Sequence, residues 1–155
     1  WHPNQNTLSD YQSSGALIYF MTGAGEMRAF LPDVNNFIVS AIPLRNNKKD
    51  YDGSNIEVSI DWALYNPPSA GNNVIWELDY YFSGTGDTPF TASPITVSLN
   101  ITVTGGTINT QRTNAFPVIS GASGKKILMI KLRRNGIVDT YASDANLFGI
   151  TFKRV

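Results

Sequence analysis

Apolar and polar residues alternate with a period of two along most of this chain. That pattern marks strands with one buried face. The clearest run is 56–64, where Ile56, Val58, Ile60, Trp62 and Leu64 share one face and Glu57, Ser59 and Asp61 the other. Residues 74–82 repeat it, with Val74, Trp76, Leu78, Tyr80 and Phe82 inward and Glu77 and Asp79 outward. In 95–103, Ile95, Val97, Leu99, Ile101 and Val103 alternate with Thr96, Ser98, Asn100 and Thr102. Shorter runs at 17–21, 26–30, 37–44 and 114–119 read as further strands, the first two forming a hairpin across Thr22-Gly23-Ala24-Gly25. The stretch 125–155 organises the rest. Leu128, Ile130 and Leu132 share one face, Phe148, Ile150 and Phe152 another, and between them lie Arg134-Asn135-Gly136 and a polar loop. Alternation on both sides of a turn predicts that these two strands pair with each other.

No segment of ten or more residues keeps a 3.6-residue period, and only Ser143 to Asn146 has room for one helical turn. Many short strands separated by Gly, Pro and Asn predict an all-β fold. The first choice is an antiparallel β-sandwich, jelly-roll-like, with little or no helix; a closed barrel is the second. Residues 1–15 are polar and contain Pro3, so they read as an extended N-terminal arm or linker that Trp1, Leu8 and Tyr11 are able to anchor. Residues 16–155 then form a single sandwich domain, which a chain of 155 residues and 42% apolar content supports.

Charge and composition narrow the chemistry. Charged residues are only 15% and the formal net charge is zero, so there is no basic footprint for nucleic acid. The absence of cysteine excludes disulfides, thiolate metal centres and cysteine nucleophiles. No apolar run is long enough to predict membrane insertion. His2, the single histidine, sits in the arm, a poor base for a Ser-His-Asp triad or a histidine zinc site. Gly23-Ala24-Gly25 and Gly84-Thr85-Gly86 lead into no helix and no Gly-Lys-Ser/Thr, so they are not phosphate loops. Asp50, Asp52 and Asn55, and Asp139, Asp144 and Asn146, are loop oxygen donors without EF-hand spacing. They read as turn formers, and no metal or cofactor is expected.

Two constellations remain. Glu57, Asp61, Glu77 and Asp79 point outward on two strands expected to be neighbours. Paired carboxylates serve glycoside hydrolysis, but nothing nearby would raise one pKa for a general acid. A surface ladder with Lys131 and Arg133 as partners is the plainer reading, and no catalytic residue is assigned. Several aromatics lie in or near loops beside Asn and Asp: Tyr51, Tyr65, Phe90 and Tyr141. Rings that pack on sugar C–H faces, next to groups that bond hydroxyls, suit a glycan, so Tyr51, Tyr65 and Tyr141 are the expected ligand-binding residues. Ile75, Tyr81, Ile127 and Met129 are apolar yet outward, which predicts a subunit interface.

Three motifs together resemble a family. They are Tyr51-Asp52-Gly53-Ser54-Asn55-Ile56-Glu57-Val58-Ser59-Ile60-Asp61-Trp62, Gly71-Asn72-Asn73-Val74-Ile75-Trp76-Glu77-Leu78-Asp79-Tyr80, and Lys131-Leu132-Arg133-Arg134-Asn135-Gly136 followed by Asp139-Thr140-Tyr141 and Asp144-Ala145. In order and spacing this set is similar to β-sandwich domains of tailed-phage virion proteins: tail fibres, tailspikes and capsid-attached fibres. The likeness spans about residues 36–155. Such proteins often have a histidine in the first of these strands, where this chain has Ser59 and Asp61. The resemblance implies a homotrimer on an extracellular virion particle, with other virion proteins and a host-surface glycan as partners. It carries over no catalytic set. A capsid decoration or head-fibre role is the alternative, and a glycan depolymerase or a free carbohydrate-binding module the third.

Overall fold

The computed structural model describes residues 5–6, 12–14, 17–21, 25–30, 37–44, 51–88, 93–104, 108 and 110–155. The described residues contain no helix and eleven strands: β1 (Gln5–Asn6), β2 (Gln12–Ser14), β3 (Leu17–Met21), β4 (Gly25–Phe30), β5 (Phe37–Pro43), β6 (Ile56–Leu64), β7 (Asn72–Ser83), β8 (Ile95–Val103), β9 (Arg112–Ala115), β10 (Ile127–Arg134) and β11 (Ala145–Arg154). They form two antiparallel sheets. The first runs β3-β4-β11-β6-β9, with β1 also paired to β11; the second runs β2-β5-β10-β7-β8. The expected all-β sandwich is what the chain forms. Both β1 and β2 lie within residues 1–15, and they pair with β11 and β5 respectively.

The inner faces follow the alternation. Val58, Ile60, Trp62 and Leu64 of β6 and Leu147, Ile150 and Phe152 of β11 pack against Val74, Trp76, Leu78, Tyr80 and Phe82 of β7 and Leu128, Ile130 and Leu132 of β10. Trp62 and Trp76 meet edge to face across the two sheets, centroids 6.0 Å apart at 69°. The Trp62 indole also donates to Asn114 Oδ1 at 2.8 Å, so the polar edge of a buried ring is satisfied. The hairpin expected at the N-terminal side forms, with Leu17 opposite Ala29 and Met21 opposite Gly25. Its turn, residues 22–24, lies outside the described residues, as do the anchors Trp1, Leu8 and Tyr11.

Three expectations are corrected. First, β10 and β11 do not pair with each other: β10 inserts between β5 and β7, and β11 joins β6 in the other sheet. Each strand has one apolar face, and facing the opposite sheet buries it as well as a hairpin would. The ten-residue connection 135–144 leaves room to cross. Second, β6 and β7 lie in different sheets, so Glu57 and Asp61 are on one outer surface and Glu77 and Asp79 on the other. The four carboxylates form no single group. Third, a β-bulge interrupts β11. Leu147 opposes Trp62 and Gly149 opposes Asp61, so Phe148 is the extra residue. Leu147 takes the inner position and Phe148 stays half-exposed, out of step with Ile150 and Phe152. No helical turn forms at Ser143 to Asn146; the chain bends there and enters β11.

Candidate functional site

The β6–β7 and β10–β11 connections both cross the sandwich at the same end, and they are tied to each other and to β7. Arg134 anchors them. It shares parity with Leu128, Ile130 and Leu132, lies opposite Trp76, and is fully buried. A cation in that position requires partners. Its Nε meets Asp139 Oδ2 at 2.5 Å, its NH2 meets Asp139 Oδ1 at 2.9 Å, and its NH1 donates to the Ser143 carbonyl at 2.5 Å. A further bond runs from NH2 to the Tyr141 carbonyl. One guanidinium thus gathers residues 139, 141 and 143 of the loop.

The outer turn of the loop is fastened to β7. Asn135 N donates to Ile75 O at 2.8 Å, Thr140 N to Asn73 O at 3.0 Å, and Asn73 N to Thr140 Oγ1 at 2.8 Å. Asn72 Nδ2 donates to Thr140 O at 2.7 Å. On the other side, Asn66 N donates to the Tyr141 hydroxyl at 2.9 Å, and that hydroxyl donates to Asn66 O at 2.7 Å. Asn66 Nδ2 reaches Ser143 Oγ at 2.8 Å, and Tyr65 N bonds Asp144 O at 3.1 Å.

Tyr65 therefore stands on a pinned platform with its side chain out. It is 53% exposed, and Asn66, Ser143 and Asp144 are bonded around its backbone. Burial pushes the Asp144 carboxyl above its ordinary value, with Arg134 acting in the opposite direction. Ile137 and Val138, at the tip of the β10–β11 loop, are also exposed. This end offers a ring face, amide and hydroxyl groups and one carboxyl, all on backbone held by these hydrogen bonds.

The other two expected tyrosines are both buried. Tyr141 is buried in the same end, beneath Arg134, whose Cζ is 5.5 Å from the ring centroid. It braces the Tyr65 platform and presents no face to a ligand. Tyr51 is buried at the opposite end, where it stacks on Phe82 at 6.1 Å with Arg154 5.2 Å from the ring centroid. The two ends are separated by most of β7, about 30 Å at the usual rise per residue. Phe90 lies outside the described residues.

The expected interface residues share the outer face of the second sheet but form no single patch. Met129 opposes both Tyr81 and Ala41, and Ile127 (39% exposed) opposes Ser83 and Pro43, so these rungs are contiguous. Ile75 is cut off from them by two charged rungs. There Arg133 bridges Glu77 Oε2 at 2.7 Å and Asp79 Oδ2 at 2.6 Å, while Asn135 donates to Glu77 Oε1 at 2.8 Å and Thr96 to Asp79 Oδ1 at 2.7 Å. Lys131 Nζ sits 4.5 Å from the Phe37 centroid. The ladder role expected of Arg133 is thus observed, and each oxygen of Glu77 and Asp79 is engaged. Among the described residues no group of three His, Cys, Asp or Glu converges to hold a metal.

Sequence reasoning missed Arg134, read only as part of a turn. Its even-numbered parity with Leu128, Ile130 and Leu132 was the available signal, and Asp139 five residues on was its partner.

Two packed antiparallel sheets of this order form a β-sandwich, and solved structures similar to it in fold include carbohydrate-binding modules. The C-terminal CBM6 of LamC, a marine laminarinase from Zobellia galactanivorans, is 12% identical with a TM-score of 0.59, covering 99% of this chain and 100% of that one. Carbohydrate-binding module CBM36, solved with calcium and xylotriose, is 14% identical with a TM-score of 0.55 over 97% of this chain and 99% of that one. TmCBM61, solved with β-1,4-galactotriose, is 11% identical with a TM-score of 0.50 over 96% and 91%. At such identities the likeness establishes the fold. No family model and no curated protein matches the chain.

Proposed function

We propose that this chain is a non-catalytic glycan-binding module whose site is the platform around Tyr65. The observation that carries the reading is the half-exposed Tyr65 ring on loops pinned by Arg134, Tyr141 and Asn66. An exposed ring packs on the C–H face of a sugar while Asn66, Ser143 and Asp144 supply hydroxyl partners. Two neighbours in fold were solved holding oligosaccharides, xylotriose in one and β-1,4-galactotriose in the other, which supports a saccharide ligand on this architecture. Zero net charge and few charged residues favour a neutral over a polyanionic glycan. The sequence likeness to tail-fibre and head-fibre domains supports a virion as the setting, with the glycan on a host surface.

A glycan array followed by calorimetry tests this. The chain should bind neutral oligosaccharides without releasing reducing ends, and Tyr65→Ala should abolish binding while leaving the thermal midpoint within about 2 °C, as for an exposed side chain. Binding that survives Tyr65→Ala removes the site. Retention on capsids with no glycan bound favours the decoration role, and release of reducing ends shows turnover.

A further inference from the structure

The outer edge of β8, unpaired among the described residues, points to a contact independent of the glycan site. Edge strands in monomeric proteins are kept short, charged or interrupted by proline, because their unpaired backbone groups template further pairing. The edges β2, β3 and β9 are short, at three, five and four residues. β8 is nine residues, Ile-Thr-Val-Ser-Leu-Asn-Ile-Thr-Val, with no charge and no proline. Among the described residues it pairs on one side only, with β7. Its inner-face row is also incompletely covered: Ile95 is 58% exposed, and Val97, Leu99 and Ile101 are only part-buried.

We propose that β8 pairs antiparallel with β8 of a second copy of this chain, about a two-fold axis at Leu99. That register engages all nine residues. It sets Ile95 against Val103, Thr96 against Thr102, Val97 against Ile101 and Ser98 against Asn100, so apolar meets apolar on the inner face and polar meets polar outside. No like charges are brought together, because the strand has none. The two second sheets become one continuous ten-stranded sheet. The half-covered row of each copy then gains the row of the other beside it. The contact is isologous and closes at two chains, which a strand added to a strand does without further growth. The trimer implied by the sequence likeness would use a different contact.

Sedimentation or light scattering across micromolar concentrations reads the stoichiometry. The wild type should show the mass of two chains. The double variant Ser98→Lys with Asn100→Lys should be monomeric. In this register each introduced ammonium at position 98 faces the one at position 100 of the other copy, while within the monomer these exposed positions oppose Glu77 and Ile75. Near-ultraviolet circular dichroism of Trp62 and Trp76 checks that the variant is folded. Mixing it with a Ser98→Glu, Asn100→Glu double variant should restore the two-chain mass. Amide exchange along 95–103 gives a second readout on the unmodified chain, with protection rising as concentration rises. A wild-type monomer, a three-chain mass with β8 amides unprotected, or a dimer indifferent to the lysine pair each overturns the proposal.

Discussion

Gly121→Ala is the sharpest test of how the Tyr51 end of the sandwich is packed. A Cβ at this position would fall deep inside the contact distance of Ser54 O and Gly53 O, and 2.5 Å from the Tyr51 hydroxyl. Even the mildest of these contacts must open by about 0.5 Å to reach 3.0 Å, a distance below which real Cβ atoms are essentially never found. Neither side gives easily. Residues 53–54 are held by Asp52, whose carboxylate accepts from both Ser54 N and Ser54 Oγ, and Gly53 lies against the backbone of Ser123 with φ +88°. Behind them Tyr51 is buried against Phe82, and Gly124 N bonds Tyr51 O at 2.9 Å. On the other side Ile119 is bridged to Ile56. Overpacking costs typically about 1–3 kcal/mol, and two rigid backbone carbonyls put this case at the upper end, about 3 kcal/mol. For a domain of this size that corresponds to a fall of about 6–12 °C in the thermal midpoint. Urea titration followed by tryptophan fluorescence, with calorimetry beside it, measures both. Gly71→Ala is the control: φ is +80° with nothing within 4 Å, so only the left-handed backbone is penalised, at about 1–2 kcal/mol. If Gly121→Ala costs no more than Gly71→Ala, the close approach of residues 53–54 to residue 121 is wrong.

Three further outcomes follow from the core and the loop hub. Asp139→Asn removes the counter-charge of a buried guanidinium and should cost about 3–5 kcal/mol in a denaturant titration. Trp62→Ala should lower stability by a similar amount, about 3–5 kcal/mol by the same assay, from lost burial, a cavity and an orphaned Asn114. For Asp144 the raised pKa means the folded chain holds its proton more tightly than the unfolded one. Its contribution is full below the ordinary carboxylate range and is lost as pH rises through the folded value. Asp144→Asn should therefore stabilise at neutral pH and lose that advantage in acid, which paired urea titrations at the two pH values would show.

The faces of the strands were legible because a period of two reports directly which side chains share a surface. The bounds of β6 and β8 are those the alternation predicts. Strand partners were not legible, since alternation is the same whether an apolar face meets a neighbouring hairpin or the opposite sheet. That is why 127–134 and 145–154 looked paired and are not. The bulge at Phe148 was hidden because one inserted residue changes register without changing composition, although Gly149 beside it is a common accompaniment. At the candidate site, Tyr65, Tyr141 and Tyr51 look alike as loop tyrosines. What separates them is tertiary: Arg134 covers one, Phe82 and Arg154 enclose another, and only Tyr65 is left open.

The placement of β10 and β11 has a consequence for how the chain is made. Both are interior strands: β10 separates β5 from β7, and β11 separates β4 from β6. Before residue 127 is synthesised, each sheet exists only as two unconnected ribbons, β3-β4 and β6-β9 in one and β2-β5 and β7-β8 in the other. Neither half of either sheet has the partner that fills its middle, and two-stranded ribbons are marginal in water. A nascent chain must therefore wait on the ribosome with its apolar faces open until residues 127–154 emerge, a matter of seconds at usual synthesis rates. A stop codon between residues 127 and 145 would deprive one or both sheets of a central strand, so termination there should be as damaging as termination far upstream.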